Sequence, residues 1–234
     1  MEKNLSYSLR FLIFCIILAV FCILFCVAAK LYFPEYNTAS AEMRKEPAPV
    51  LILDAGHGGI DGGCVGKSGT LEKNVNLDIA LIMSDFCRLL DIDAVLTRND
   101  DVSLADVGAK KQKQSDLYNR VRVAEKYPDA VFLSIHMNSF PYAACRGLQT
   151  FYSKNNESSK PLAEKIQTLA SEWLDPQNNR KTKAAGTEIY ILDRIENPCV
   201  LIECGFLSDD KEEKLLTQKD YQKKIGFCIL SAAL

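Results

Sequence analysis

From residue 50 onward, short apolar runs alternate with stretches in which apolar residues recur every three or four positions. The runs at 50–54, 94–97, 131–135, 148–152, 188–192 and 199–203 read as strands. Between them, Val75, Ile79, Ile82, Phe86 and Leu89 share one helical face, as do Leu117, Val121 and Ala124, and then Leu162, Ile166, Leu169 and Trp173. Tyr221, Ile225, Cys228, Ile229 and Ala232 predict a last helix. Ser115 and Ser159 are candidate N-caps, and Pro161 suits a first helical turn. This order predicts an α/β fold: a single domain with a central, largely parallel sheet and helices on both faces. Residues 99–113, ending in Ala109-Lys-Lys-Gln-Lys113, and residues 175–183 are polar, basic and aperiodic. They read as solvated loops, with a hold on an anionic polymer as the alternative.

The front of the chain follows another pattern. Residues 11–29 are uncharged and apolar, with Lys3 and Arg10 before them and Lys30 after. A bilayer-spanning helix needs roughly 17 to 25 such residues. A cleaved signal peptide is the alternative, because Val27-Ala-Ala29 and Ala39-Ser-Ala41 offer small residues for cutting, but its apolar region usually runs only ~7 to 15 residues. An uncleaved anchor is therefore favoured, with the amino terminus in the cytoplasm and the body of the protein outside. Residues 31–48, with Pro34 and Pro47 and no period, read as a linker. The expected organisation is a membrane anchor or signal segment at 1–30, a linker at 31–48 and a catalytic domain at 49–234.

With 234 residues, 48% of them hydrophobic, and a net charge of −2, the chain has room for one well-buried domain behind that segment. Of its nine cysteines, Cys15, Cys22 and Cys26 fall in the apolar run. Cys64, Cys87, Cys145, Cys199, Cys204 and Cys228 form no Cys-x-x-Cys pair, and buried thiols are expected rather than a disulfide framework.

The chain holds only two histidines, and each stands just past an apolar run: His57 in Leu53-Asp-Ala-Gly-His57-Gly-Gly, and His136 in Leu133-Ser-Ile-His136-Met-Asn138. In open α/β sheets ligands bind beyond the carboxyl ends of strands, so two imidazoles delivered there can converge on a metal. A hydrolytic zinc site needs three protein ligands and an open position, and His-His-carboxylate is a common set. Glu72 is the best third ligand, since the glycine-rich turn after Gly56 can fold back to His57. A glutamate at a helix start also answers the helix dipole, which is the plainer reading of Glu72. Glu203 closes an apolar strand, where a buried charge is costly unless paired or used. It is the candidate general base and acid, a salt bridge at the sheet rim being the alternative. No Gly-x-Ser-x-Gly elbow, dinucleotide fingerprint or phosphate loop is present, and neither Cys64 nor Cys204 follows a recognisable nucleophile motif.

These segments resemble the zinc-dependent N-acetylmuramoyl-L-alanine amidases of the amidase 3 family. The resemblance rests on Leu53-Asp-Ala-Gly-His57-Gly-Gly-Ile-Asp-Gly-Gly63, Leu71-Glu72-Lys-Asn-Val-Asn-Leu, Leu133-Ser-Ile-His136-Met-Asn138-Ser and Val200-Leu-Ile-Glu203-Cys-Gly-Phe-Leu-Ser208, in order across residues 50–234. It implies one Zn2+ held by His57, Glu72 and His136, catalysis by Glu203, and site support from Asp54, Arg120 and Asn138. It also implies hydrolysis of the amide between N-acetylmuramic acid and L-alanine in peptidoglycan. The single catalytic domain behind an apolar segment, and the polar insert between Arg98 and Leu117, resemble the spore-cortex, germination-associated branch, in which stem-peptide removal precedes muramic δ-lactam formation. That branch places the enzyme in the forespore and cortex region.

Two departures stand out: Ala55 occupies a position where proline is common, and Cys204 follows Glu203 where an apolar residue is usual, which raises a role for Cys204 in tuning zinc affinity or as an oxidation point. The expected partners are peptidoglycan, the membrane through residues 11–29 and, as in some members of the family, a protein activator; no nucleic acid is expected. The alternatives are a zinc peptidase of the stem peptide and a non-catalytic wall-binding scaffold.

Overall fold

The computed structural model describes residues 7–32, 48–140 and 145–234, with side chains in the first stretch described for residues 9 and 11–25. The chain divides into two compact units, Met1–Pro47 and Ala48–Leu234. In the first, helix α1 (Tyr7–Tyr32) contains the apolar run. Among the described residues, however, no helix is long and apolar enough to cross a membrane. The spanning expectation for residues 11–29 therefore finds no support in the fold, and most of the expected linker at 31–48 lies outside the described residues.

In the second unit, six strands form one sheet in the order β2-β1-β3-β6-β4-β5. They are β1 (Leu51–Ala55), β2 (Ala94–Leu96), β3 (Val131–Asn138), β4 (Gln149–Tyr152), β5 (Lys183–Ala184) and β6 (Cys199–Phe206). β1 lies parallel to β2 and β3, and β3 parallel to β6. β4 runs antiparallel to β6 and carries β5 alongside it in parallel. The largely parallel sheet predicted from the sequence thus has one reversed strand.

The helices are α2 (Glu72–Leu89), α3 (Gln112–Glu125), α4 (Ser159–Trp173), α5 (Tyr190–Arg194), α6 (Asp210–Leu216) and α7 (Lys219–Ala233). They cover both faces of the sheet. On one face Val75, Ile79 and Met83 of α2, Ala163, Ile166 and Ala170 of α4, and Ile225, Cys228 and Ile229 of α7 close over Leu51, Leu133 and Val200. On the other, Val121 and Ala124 of α3 and Ile191 and Leu192 of α5 cover Ile52, Phe132 and Leu201.

Several local expectations change. The run 188–192 forms a turn that leads into the start of α5, not a strand, and the edge position goes to the two-residue β5. Ser115 lies inside α3, where its hydroxyl accepts from the Asp106 N–H. Ser159 is the first residue of α4, and its buried hydroxyl accepts from the Cys199 N–H instead of capping. Both serines spend their oxygens on long-range partners, which local capping statistics do not register. The described cysteines are all free, and Cys87, Cys199, Cys204 and Cys228 are buried as expected.

Candidate metal centre and active site

Side chains alternate across a strand, and that alternation builds the site. Leu51 and Leu53 of β1, Leu133 and Ile135 of β3, and Val200, Ile202 and Cys204 of β6 belong to the first core. The residues between them point the other way, so Asp54, Ser134, His136 and Glu203 share the opposite face near the carboxyl ends of three adjacent strands. The register sets Asp54 beside Ser134 and His136 beside Glu203. Cys204 accordingly turns away from Glu203 into the core, where its thiol donates to the Ile202 carbonyl and burial pushes its pKa far up. The suggested tuning or oxidation role for Cys204 is corrected by that orientation.

His57, Glu72 and His136 offer ligand atoms that lie within 4.8 Å of one another. Oε1 of Glu72 is 3.2 Å from His57 Nε2 and 2.9 Å from His136 Nδ1. The two rings meet edge to face with centroids 4.9 Å apart. His57 Nδ1 lies 2.9 Å from Oδ2 of Asp61. A carboxylate only accepts, so Nδ1 carries a proton and neutral His57 turns the lone pair of Nε2 toward the Glu72 oxygen. Two lone pairs facing each other need a cation between them. Without a metal that cation is a proton: burial lowers the His57 pKa, but Glu72 and Asp61 outweigh it and raise it. Burial likewise opposes ionised Glu72, and the two histidines overcome it, holding the carboxyl far below the usual range. The donor set and its spacing fit a divalent ion of the zinc type, with Asp61 orienting one imidazole as metal-site carboxylates do.

The turn between the ligands is held from several sides. The N–H groups of Cys64 and Met137 donate to Glu72 at 2.8 and 3.0 Å. Asn76, one turn along α2, donates to the Gly56 carbonyl at 3.1 Å. A Cβ at Gly56 would overlap the imidazole of His136, so the strand end can pass the histidine only as glycine. His57 itself has φ of +61°, a left-handed conformation uncommon for a side-chain-bearing residue. Arg120 secures it by donating to the His57 carbonyl at 2.7 Å.

Arg120 is 2% exposed and also reaches Asp54 at 2.5 Å, Asp116 at 2.6 Å and the Ala55 carbonyl at 2.8 Å. Asp54, fully buried, accepts in addition from Thr97 and Ser134. Burial raises its pKa, but Arg120, Ser134, His136 and Thr97 together bring it below the ordinary value. Asp54 and Arg120 therefore form an ion pair behind the metal ligands. Asn138 stands two residues past His136, at a register shift in the β3–β6 pairing, where its carbonyl accepts from Leu207 N–H.

Glu203 has a buried carboxylate oxygen with no hydrogen-bond partner. Burial raises its pKa; His57 and His136 pull it down, while Glu72 adds to the rise. With His57 and His136 it lines a cleft of about 250 Å³, whose far side is formed by Lys113, Leu117 and Tyr190. The arrangement sets a carboxylate able to take up a proton beside a metal-type ligand set, within a cleft open to substrate.

His57, Glu72, His136 and Glu203 thus gather at one place with Asp54 and Arg120 behind them, while Asn138 is tied to its surroundings through its backbone carbonyl. Sequence reading missed Asp61, although it sits in the same glycine-rich turn four residues after His57. It missed Asp116, which precedes Arg120 by one helical turn. It also missed Arg98, 3% exposed, whose guanidinium donates to the carbonyls of Ala55, Gly56, Lys73 and Asp100. A charged residue directly after the apolar run 94–97 was its only local signal.

Comparison with known proteins places these features in a family. The model of the amidase 3 family, described as N-acetylmuramoyl-L-alanine amidase, matches residues 51–233. The germination-specific N-acetylmuramoyl-L-alanine amidase of Bacillus subtilis (strain 168) is 33% identical over 188 residues, which cover 79% of this chain and 78% of that protein. The structure of the CwlD amidase from Clostridioides difficile, in complex with the GerS lipoprotein, is 40% identical with a TM-score of 0.75, covering 79% of this chain and 95% of that one. AmiC2, an N-acetylmuramoyl-L-alanine amidase of Nostoc punctiforme, is 29% identical with a TM-score of 0.68, covering 79% and 94%.

Proposed function

Because the chain belongs to the N-acetylmuramoyl-L-alanine amidase family, we propose that it hydrolyses the amide joining N-acetylmuramic acid to L-alanine with one zinc ion held by His57, Glu72 and His136. The observation that carries this reading is the convergence of those three ligand atoms beside the unpartnered Glu203 oxygen. When bound, zinc supplies a Lewis acid that polarises the amide carbonyl and makes water acidic enough to ionise near neutral pH. Glu203 accepts the proton of the attacking water at its unpartnered oxygen and returns it to the departing amine of L-alanine. Asp61 keeps the proton on His57 Nδ1 so that Nε2 faces the ligand position. Asp54 and Arg120 keep the backbone of residues 55–57 in place, and the walls of the cleft orient the amide.

The setting proposed for this activity is the spore cortex, where stem-peptide removal precedes muramic δ-lactam formation. The likeness to a germination-specific relative supports it. Peptidoglycan lies outside the cytoplasm, so the catalytic domain, residues 49–234, acts there, with residues 1–30 as membrane anchor or cleaved signal and 31–48 as linker. A protein activator is proposed as well, supported by the complex between the Clostridioides difficile relative and a lipoprotein.

The test is mass spectrometry of the products when the zinc-loaded chain is incubated with purified peptidoglycan, beside Glu203→Gln. The expected result is release of peptides beginning with L-alanine and a loss of roughly 10²- to 10⁴-fold in the variant, the usual contribution of a general acid–base group. Peptides cut internally would favour a stem-peptide peptidase. Intact polymer after incubation with the zinc-loaded chain and its lipoprotein partner would favour the scaffold reading.

A further inference from the structure

The cleft over Glu203 does not end at Tyr190. A second depression of about 470 Å³, lined by Lys111, Gln112, Lys113, Gln114, Leu117 and Tyr190, shares Lys113, Leu117 and Tyr190 with it. The two depressions adjoin at those three side chains, one holding His57, His136 and Glu203 and the other lying at the start of α3. This is the basic tail of residues 99–113, which amidase chemistry itself leaves without a task.

The charge in that second depression is one-sided. Lys110, Lys111 and Lys113 are exposed, and Lys111 has no ion-pair partner among the described residues. Lys113 makes only a long contact, 3.7 Å, to Asp61, whose same carboxylate oxygen already engages His57. Arg194 stands over the Tyr190 ring, 5.6 Å from its centroid, but is already paired with Asp193 at 3.4 Å and adds no free charge. The first turn of α3 has no acidic residue and no side-chain cap. Lysines gathered at the positive end of a helix repel its dipole, so their placement costs stability unless an anion is bound there. Glu203 lines the first depression and not this second one, so the lysines stand off from the catalytic carboxylate.

We propose that this second depression is a subsite for the peptide side of the substrate, in which Lys111 and Lys113 pair with free carboxylates of an acidic stem peptide while Leu117 and Tyr190 carry its apolar parts. The inference rests on the amidase reading. It assigns direction to the cleft: the leaving peptide runs from Glu203 along Tyr190 toward the start of α3, and the sugar chain lies on the opposite side of the scissile amide. Exposed ammonium–carboxylate pairs are screened by salt, so the preference they create falls as ionic strength rises.

The experiment compares two muramoyl-peptide substrates, identical except that the peptide carboxylates beyond L-alanine are free in one and amidated in the other. For the zinc-loaded full chain, kcat/KM should favour the free acid by about tenfold, the amount two exposed pairs supply, and mainly through KM. In the doubly substituted Lys111→Gln/Lys113→Gln chain the preference should vanish, as it should for the unsubstituted chain in high salt. A readout without turnover is binding of the free acidic peptide to the Glu203→Gln chain by calorimetry, expected to weaken by a similar factor when both lysines are replaced. Equal rates on the two substrates, or an equal loss on both in the double variant, would overturn the subsite and leave the amidase reading standing. Cleavage of neither substrate by a zinc-loaded chain, with the proposed lipoprotein activator present, would overturn both.

Discussion

At the scale of single residues, the site depends on charges that could not be buried alone. Asp54 is fully buried against Arg120, itself 2% exposed, and the pair holds the strained backbone at His57. Removing one partner of such a pair leaves the other charge unanswered at a cost of about 3–5 kcal/mol. Asp54→Asn should therefore lower unfolding free energy by about that much at pH 7, as measured by urea denaturation. The folded pKa of Asp54 lies below its unfolded value near ~3.9. Its contribution is fully present above that unfolded value and is lost as pH falls through the lower, folded pKa. The gap between the unsubstituted protein and Asp54→Asn should accordingly be constant from pH 7 down to about 5 and narrow below about 4. A gap that stays constant to pH 2 would show that the carboxylate's charge is not what stabilises this region.

At the scale of elements, the loop between His57 and Glu72 is tied to a helix that the sequence did not announce. The tip of that loop, Gly66–Thr70, closes on itself through the Gly66 N–H to Thr70 carbonyl bond at 2.8 Å. Glu213 of α6, 4% exposed, accepts from the Ser68 N–H at 3.1 Å and from the Ser68 hydroxyl at 2.5 Å. Its neighbour Glu212 accepts from the Phe206 and Gly147 N–H groups, so α6 braces the end of β6 as well. A metal site is only as tight as the loop that carries its ligands. Glu213→Ala should weaken zinc binding roughly 10- to 100-fold in competition with a chelator, and Glu213→Gln, which keeps one acceptor, should recover part of it. Unchanged affinity in both variants would reduce the contact to a surface fastening. Here local pattern could not help: α6 is seven residues long, too short for an apolar period to emerge.

At the scale of the whole molecule, Ala48–Leu234 is a compact unit with helices closing both faces of its sheet. Residues 48–234 alone should unfold in a single cooperative transition and bind zinc as tightly as the full chain does, read by calorimetry and by titration with zinc; loss of either would mean that the front segment contributes to the fold. Much of this unit was legible in advance. Buried strands must be apolar and helices must present one apolar face, so β1, β3 and β6 and the helices α2, α4 and α7 left their periods in the chain. His57, His136 and Glu203 were legible too, because polar residues at the ends of buried strands are costly unless they are used. What the linear pattern could not carry was everything decided by pairing across long separations. The reversal of β4, the turn of residues 188–192 into the start of α5, and the buried partners Asp61, Arg98 and Asp116 each follow from which backbone and side-chain groups meet in three dimensions. The residue types determined that a metal-binding hydrolase could be built here; the register of β3 and β6 decided that His136 and Glu203 lie side by side on one face, because a shift of one residue would turn either of them into the core.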